Sequence, residues 1–390
     1  MGRGSGTSSL PPPQIPPPTR LRVAGRGLHL VPKRGIGNKG KSMSLNQAIT
    51  KSPIILFLGA GASVPLGKPA MKQFVEKLAG EIASGDNASL LSALISVRDH
   101  DLESILGDLE TFLSLHYVSS FIFDGENLIS YEANRNNVAS LRSLIRHSII
   151  REYRTINTER AVAVYRPLFD IIFSHIDSSI WCLPIFTTNY DLAIETFCNK
   201  QFIQYDLTDG MEDDFSERQI VWNPREFELF RINPQNRHIV LFKLHGSVNW
   251  MRITSNGRIV HSLPMYDVVD SDAYQNAIIY PAGNKVTNSE PYLTCYHYFS
   301  RCCEHAKLII AIGYSFRDYE ALGSLLKARQ VNEDLKLILL SPDAYDVLNT
   351  IPDDDRVFWT EPIYGYFGNP DSEAEYLPKI NEWLVRQLEK

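Results

Sequence analysis

The chain has 390 residues, 44% of them hydrophobic and 22% charged, with a formal net charge of −6. That length suits one large α/β domain or two smaller ones, and the composition excludes wholesale disorder, collagen-like repeats and coiled coil. The best apolar stretch, Pro53 to Gly67, is broken by glycines and falls short of the roughly 20 residues a membrane span needs.

Residues 1–42 hold eight Lys/Arg and no Asp or Glu, together with two proline triplets, Pro11-Pro12-Pro13 and Pro16-Pro17-Pro18. Such a segment buries too little apolar surface to offset its ordering entropy, so it reads as a disordered basic extension. It lacks the apolar core of a secretory signal, and its prolines spoil the amphipathic helix of a mitochondrial presequence. Met43 lies just ahead of the first buried-strand pattern, and translation is expected to begin there. The remaining 348 residues carry −14, which argues against non-specific binding of duplex DNA across the main surface. Five cysteines (Cys182, Cys198, Cys295, Cys302, Cys303) are too few and oddly numbered for a disulfide scaffold. They read as reduced thiols in a cytoplasmic protein.

Ile54-Ile55-Leu56-Phe57-Leu58 is a continuous apolar run ending at glycine, the pattern of a strand buried on both faces. A helix follows Pro69, with Phe74, Val75, Leu78 and Ile82 on one side. Helical spacing then continues through Leu102, Ile105, Leu106, Leu109 and Leu113. It recurs in Leu141, Leu144, Ile145 and Ile149, and again in Tyr165, Leu168 and Ile172. Strand patterns return at 184–188, 239–244, 308–312 and 335–340. This alternation predicts an α/β fold: a Rossmann-like, mostly parallel sheet with helices on both faces. The helical block over about 71–178 reads as an inserted lobe. A last helix over about 372–389 is expected, capped by Ser372, with Tyr376, Leu377, Ile380, Trp383, Leu384 and Leu388 inward.

Four polar turns fall at predicted strand ends, where ligands bind in open α/β sheets. Gly59-Ala60-Gly61-Ala62-Ser63 offers a close backbone approach and helix N–H groups to a phosphate, or else is only a tight strand-to-helix turn. It departs from the dinucleotide fingerprint, since Val64 stands where a glycine belongs, and no Gly-Lys-Ser/Thr follows to make a P-loop. In Thr187-Thr188-Asn189-Tyr190-Asp191, Asn189 has a donor and an acceptor to position a ribose hydroxyl or a water. Asp191 serves equally as a helix cap. His245, in Lys243-Leu244-His245-Gly246-Ser247, is the one histidine of ten at such an edge, and it reads as a general base or as a structural histidine. In Ile312-Gly313-Tyr314-Ser315-Phe316-Arg317-Asp318, Gly313 and Ser315 are placed to line a phosphate or ribose. Ser341 and Asp343, after the next strand, are placed for an adenosine end.

The four turns in this order resemble the SIR2-like (sirtuin-related) family, in particular its bacterial antiphage-defence NAD-hydrolase branch, over about residues 52–345. The resemblance implies that Gly59, Ala60, Gly61, Ala62 and Ser63 contact NAD phosphates and ribose. It implies that Asn189 and Asp191 match the family's Thr-Gln-Asn-Ile-Asp motif and that His245 is the catalytic histidine. Gly313 and Ser315 would match the family's Gly-Thr-Ser turn, with Thr188 and Ser341 also on the dinucleotide. Deacylating members follow the first motif with Gly-Ile-Pro-Asp-Phe-Arg, where this chain has Gly67-Lys68-Pro69-Ala70-Met71-Lys72. They also carry zinc on paired Cys-x-x-Cys, which is missing here. The resemblance therefore implies NAD as substrate and no metal, with hydrolysis to nicotinamide and ADP-ribose, or its cyclised form. The alternatives are an NAD-dependent protein deacylase and a non-catalytic NAD or ADP-ribose binding subunit. It further implies regulation through homo-oligomers or a separate activating partner, such as an ATPase or another defence subunit. Neither a nucleic-acid site nor a membrane anchor is expected.

Overall fold

Ile54–Leu58 forms the first strand, β1, and all five residues are buried. Strand alternation sends Ile55 and Phe57 into one core and Ile54, Leu56 and Leu58 into another, so the strand is covered on both faces. The structure, a computed structural model, describes residues 44–114, 125–177, 181–216, 219–229, 235–261, 274–279, 289–351 and 359–388. The basic segment 1–42 lies outside them. The described residues fall within one compact unit, Ser42–Lys390.

Six more strands, numbered in chain order, complete the main sheet. They are β2 (Cys182–Thr187), β3 (Tyr205–Thr208), β6 (Arg237–Lys243), β10 (Leu308–Ile312), β11 (Lys336–Ser341) and β12 (Thr360–Tyr364). All seven run parallel in the order β12-β11-β10-β1-β2-β6-β3. One face is covered by α1 (Leu45–Lys51), α8 (Glu226–Leu229), α9 (Tyr292–His305), α10 (Tyr319–Val331) and α11 (Ala344–Leu348), through Leu45, Phe227, Phe299, Leu325 and Leu348. The other is covered by α6 (Thr158–His175), α7 (Ala193–Lys200) and α12 (Pro370–Leu388), through Tyr165, Phe197 and Tyr376. The chain runs from β1 to β2, lays β3 at the edge and fills the place between with β6, then crosses back to lay β10, β11 and β12 on the other side. The switch in strand order between β1 and β10 is where open α/β sheets form their ligand crevice.

The inserted lobe consists of α2 (Met71–Glu81), α3 (Asp86–Arg98), α4 (Leu102–Ser114) and α5 (Gly125–Tyr153). Phe74, Leu106, Leu141 and Ile145 give it a core of its own. The helical block expected from spacing runs to about 178, but α6 packs on the sheet rather than in the lobe, because Tyr165, Leu168, Phe169 and Ile172 face the strands. Leu144, placed on the inward face by its spacing, is 40% exposed. The last helix is capped by Asn369, not Ser372: its Oδ1 accepts the Asp371 and Ser372 N–H groups at 2.9 and 3.3 Å.

A second sheet goes beyond what the sequence pattern predicts. Its strands are β4 (Met211–Asp214), β5 (Gln219–Trp222), β7 (Gly246–Ile253), β8 (Ile259–His261) and β9 (Tyr274–Ile278), antiparallel in the order β4-β5-β8-β7-β9. Val248 and Met251 of β7 join the core of the helical lobe, so this sheet ties the lobe to the parallel sheet.

Candidate active site

At the switch point the glycines serve first to bring two backbones together. Gly61 N–H donates to the Gly313 carbonyl and Gly59 N–H to the Ile312 carbonyl, both at 2.9 Å. A Cβ added at Gly61 would lie 2.6 Å from the Gly313 Cα, and one at Gly59 2.5 Å from the Gly313 oxygen. Residues Ala60–Leu66 then form a 3-10 helix rather than an α-helix. Ala62 N–H donates to the Gly59 carbonyl, so three N–H groups of this turn, those of Gly59, Gly61 and Ala62, are used within the fold.

The Thr-Thr-Asn-Tyr-Asp loop leaves β2 beside this turn. Thr187 Oγ1 donates to the Leu58 carbonyl at 3.0 Å and accepts the Asn189 N–H at 3.0 Å. The Asn189 side-chain amide donates to the Gly59 carbonyl at 2.8 Å and to Ser63 Oγ at 3.0 Å. A backbone carbonyl only accepts, so this contact fixes which end of the amide is nitrogen and leaves Oδ1 as its remaining acceptor. Asp191 holds the loop from below. Its Oδ1 accepts the Ala193 N–H at 2.9 Å at the start of α7, and its Oδ2 accepts from Ser63 Oγ. Both carboxylate oxygens are engaged within the fold, and the residue is 5% exposed.

Ala60, Ser63, Thr188, Asn189 and Asp191 line one cleft together with Pro69, Met71, Glu103 and Tyr153 at the end of α5. Tyr153 OH donates to the Pro69 carbonyl at 3.0 Å, and Lys68 Nζ donates to the Glu152 carbonyl, which pins the lobe to the loop. Burial lowers the pKa of Lys68, against the pull of Glu152 and Asp191. Burial, then the same two carboxylates, keep the Tyr153 phenol protonated.

His245 sits in the turn from β6 into β7, so a strand and not a helix follows it. The turn is tied to the asparagine loop by Leu244 N–H on the Thr187 carbonyl at 2.9 Å and Val248 N–H on the Tyr190 carbonyl at 3.0 Å. Lys243, 3% exposed, donates to the Asp191 carbonyl and to Ser247 Oγ, and pairs with Glu195 at 2.8 Å. Burial raises the Glu195 pKa, and Lys243 opposes this. His245 itself is 2% exposed, with Nε2 at 2.5 Å from Asp318 Oδ2. It does not line the cleft; it stands behind the loop that does.

Of the remaining predicted residues, Gly59 and Gly61 pack on Gly313, Ala62 is buried, Ser315 is exposed, and Ser341 donates to Asp343. Gly313 (φ 58°) and Phe316 (φ 57°) are both left-handed, and that turn delivers Asp318 to the histidine. Sequence reasoning missed the Asp318–His245 contact, the Lys243–Glu195 pair and the cleft residues of the lobe. Among the described residues no cluster of His, Cys, Asp or Glu is placed to hold a metal, and no helix is long and apolar enough to cross a membrane.

Residues 184–356 match the family model of the SIR2-like domain, a span that includes Asn189, Asp191, His245, Gly313, Ser315 and Ser341 and leaves out Gly59–Ser63. Nothing among curated proteins matches the chain. One similar solved structure is a Sir2 homologue in complex with NAD, at 15% identity and a TM-score of 0.36, covering 88% of this chain and 94% of that one. Another is Sir2 with a p53 peptide and NAD+, at 12% identity and a TM-score of 0.37, covering 86% and 95%.

Proposed function

We propose that this chain, matched over residues 184–356 by the SIR2-like domain model, binds NAD at the cleft beside Asn189 and cleaves its nicotinamide–ribose bond, with water as the acceptor. The observation that carries the reading is the pinned Asn189 amide, whose one uncommitted atom is an acceptor at the carboxyl edge of the sheet. Nicotinamide leaves as a neutral base, so the bond breaks through an oxocarbenium-like state, and the protein must orient a hydroxyl or water and exclude the rest. Asn189 Oδ1 accepts from that hydroxyl or water, and His245, behind the asparagine loop, takes up the proton once movement of that loop gives it access to the cleft. The products are nicotinamide and ADP-ribose. A catalyst that consumes NAD needs control, and the helical lobe over the cleft is the element through which a second copy or a separate subunit would exert it.

The acceptor is tested by incubating the protein with NAD, with and without an acetyl-lysine peptide, and separating the products. Nicotinamide and ADP-ribose without peptide are expected. Turnover only with peptide, giving an acetylated ADP-ribose, would move the assignment to NAD-dependent deacylation. NAD bound but never consumed would leave a binding subunit.

A further inference from the structure

The geometry points to Asp318 as the positioning residue for His245: its carboxylate fixes the imidazole's tautomer and orientation, and Tyr296 and the N-terminus of α10 hold that carboxylate in place. This rests on the reading of His245 as the proton acceptor. Asp318 Oδ2 lies 2.5 Å from His245 Nε2 and accepts from Tyr296 OH at 3.1 Å. Its Oδ1 accepts the Glu320 and Ala321 N–H groups at 3.0 and 3.3 Å, capping α10. His245, Tyr296 and the start of α10 thus all hold a carboxylate that is 5% exposed. Burial, and then the neighbouring Asp318, push the Tyr296 phenol far up, so it stays protonated and remains a donor.

The consequence is chemical. An ionised carboxylate only accepts, so the histidine nitrogen facing it carries the proton, and Nδ1 of the neutral ring keeps the lone pair that does base work. A proton taken at Nδ1 makes an imidazolium, which the adjacent negative charge stabilises. No covalent bond forms at Asp318, and the proton stays on Nε2 throughout. The residues come from elements far apart in the chain, Asp318 from the cap of α10, Tyr296 from α9 and His245 from the β6–β7 turn, yet they meet at one atom.

Asp318→Asn separates this role from a purely structural one. Asparagine caps helices as well as aspartate does, so α10 keeps its cap at Oδ1. The amide NH2 then replaces Oδ2 and donates to Nε2, forcing the proton onto Nδ1. The test uses the full chain with 15N-labelled histidine, assigned by the loss of one resonance set in His245→Gln. The expected result is the Nε2–H tautomer in the wild type and Nδ1–H in Asp318→Asn. Where NAD is turned over, kcat in Asp318→Asn should fall by about 100-fold or more while KM stays within about threefold. An Nδ1–H tautomer in the wild type, or an unchanged tautomer in Asp318→Asn, overturns the assignment. If Asp318→Asn does not fold, the wild-type tautomer still decides, with Tyr296→Phe expected to lower kcat without changing the tautomer. Absence of any NAD turnover by the wild type would sink the functional reading instead, and the tautomer would judge Asp318 on its own.

Discussion

Replacing Gly313 by alanine should destabilise the protein and open the site, for reasons that lie in two backbones. Gly313 has φ 58°, and an added Cβ would lie 2.4 Å from the Gly61 Cα, 2.6 Å from the Gly61 carbonyl carbon and 2.6 Å from the Ala62 nitrogen. None of these atoms belongs to a side chain that could rotate away. A left-handed conformation costs a non-glycine residue about 1–2 kcal/mol, and overpacking a fitted contact costs about 1–3 kcal/mol. Gly313→Ala should therefore lose about 2–5 kcal/mol. Gly61→Ala meets the same contact from the other side without the left-handed backbone, so it should lose only the packing part, about 1–3 kcal/mol. A Cβ added at Gly80 in α2 would meet no atom within 4 Å, and Gly80→Ala should gain about 0.5–1 kcal/mol. Urea unfolding of the three variants beside the wild type reads all three values. A Gly313→Ala protein as stable as the wild type would refute the claim that these glycines exist for backbone contact.

Three further outcomes follow from buried groups. His238 is fully buried against Thr208 Oγ1 at 3.0 Å, and burial lowers its pKa to about 4, with Asp206 opposing. The unfolded chain takes up that proton near pH 6.5 and the folded one only near pH 4, so stability is lost as pH falls through this window, by up to about 3 kcal/mol. Melting at pH 7.5 and 4.5 should show a smaller acid loss in His238→Gln than in the wild type, and equal losses would contradict it. Lys243→Met leaves Glu195 buried without its partner and should cost about 3–5 kcal/mol, part of which a second change, Glu195→Leu, recovers. A denaturation cycle showing strictly additive losses would rule out that coupling. Asn189→Ala frees Ser63 and the Gly59 carbonyl at the cleft edge, and it should abolish turnover with a stability loss near 1 kcal/mol per hydrogen bond, about 2 kcal/mol in all. Retained turnover in that variant would remove Asn189 from the mechanism.

The parallel sheet is legible in the sequence because a strand buried on both faces must be apolar at every position. Ile54–Leu58 and Leu308–Ile312 carry that mark unbroken. The lobe helices are legible through spacing, as with Leu102, Ile105, Leu106 and Leu109, all buried in α4. The second sheet is not, because its strands are three to eight residues long and several are polar, Met211–Asp214 being the extreme. One signal is present: in β7 the apolar Val248 and Trp250 flank Asn249, a strand alternation masked by the polar turn that precedes it. At the site, the loops themselves are readable as polar residues at strand ends. Their partners are not, since Asp318 reaches His245 across 73 positions and Lys243 reaches Glu195 from a neighbouring strand end. Periodicity reports which face a residue takes, and it carries no information about which atom a carboxylate meets.

If Asn189 and His245, on adjoining loops, cut NAD at the nicotinamide bond, the most direct measurement is the release of free nicotinamide. NAD is given to the wild type, His245→Ala and Asn189→Ala proteins, each shown to be folded by its melting transition. Release by the wild type alone is predicted. Equal release by all three would contradict it, and would take both residues out of the chemistry.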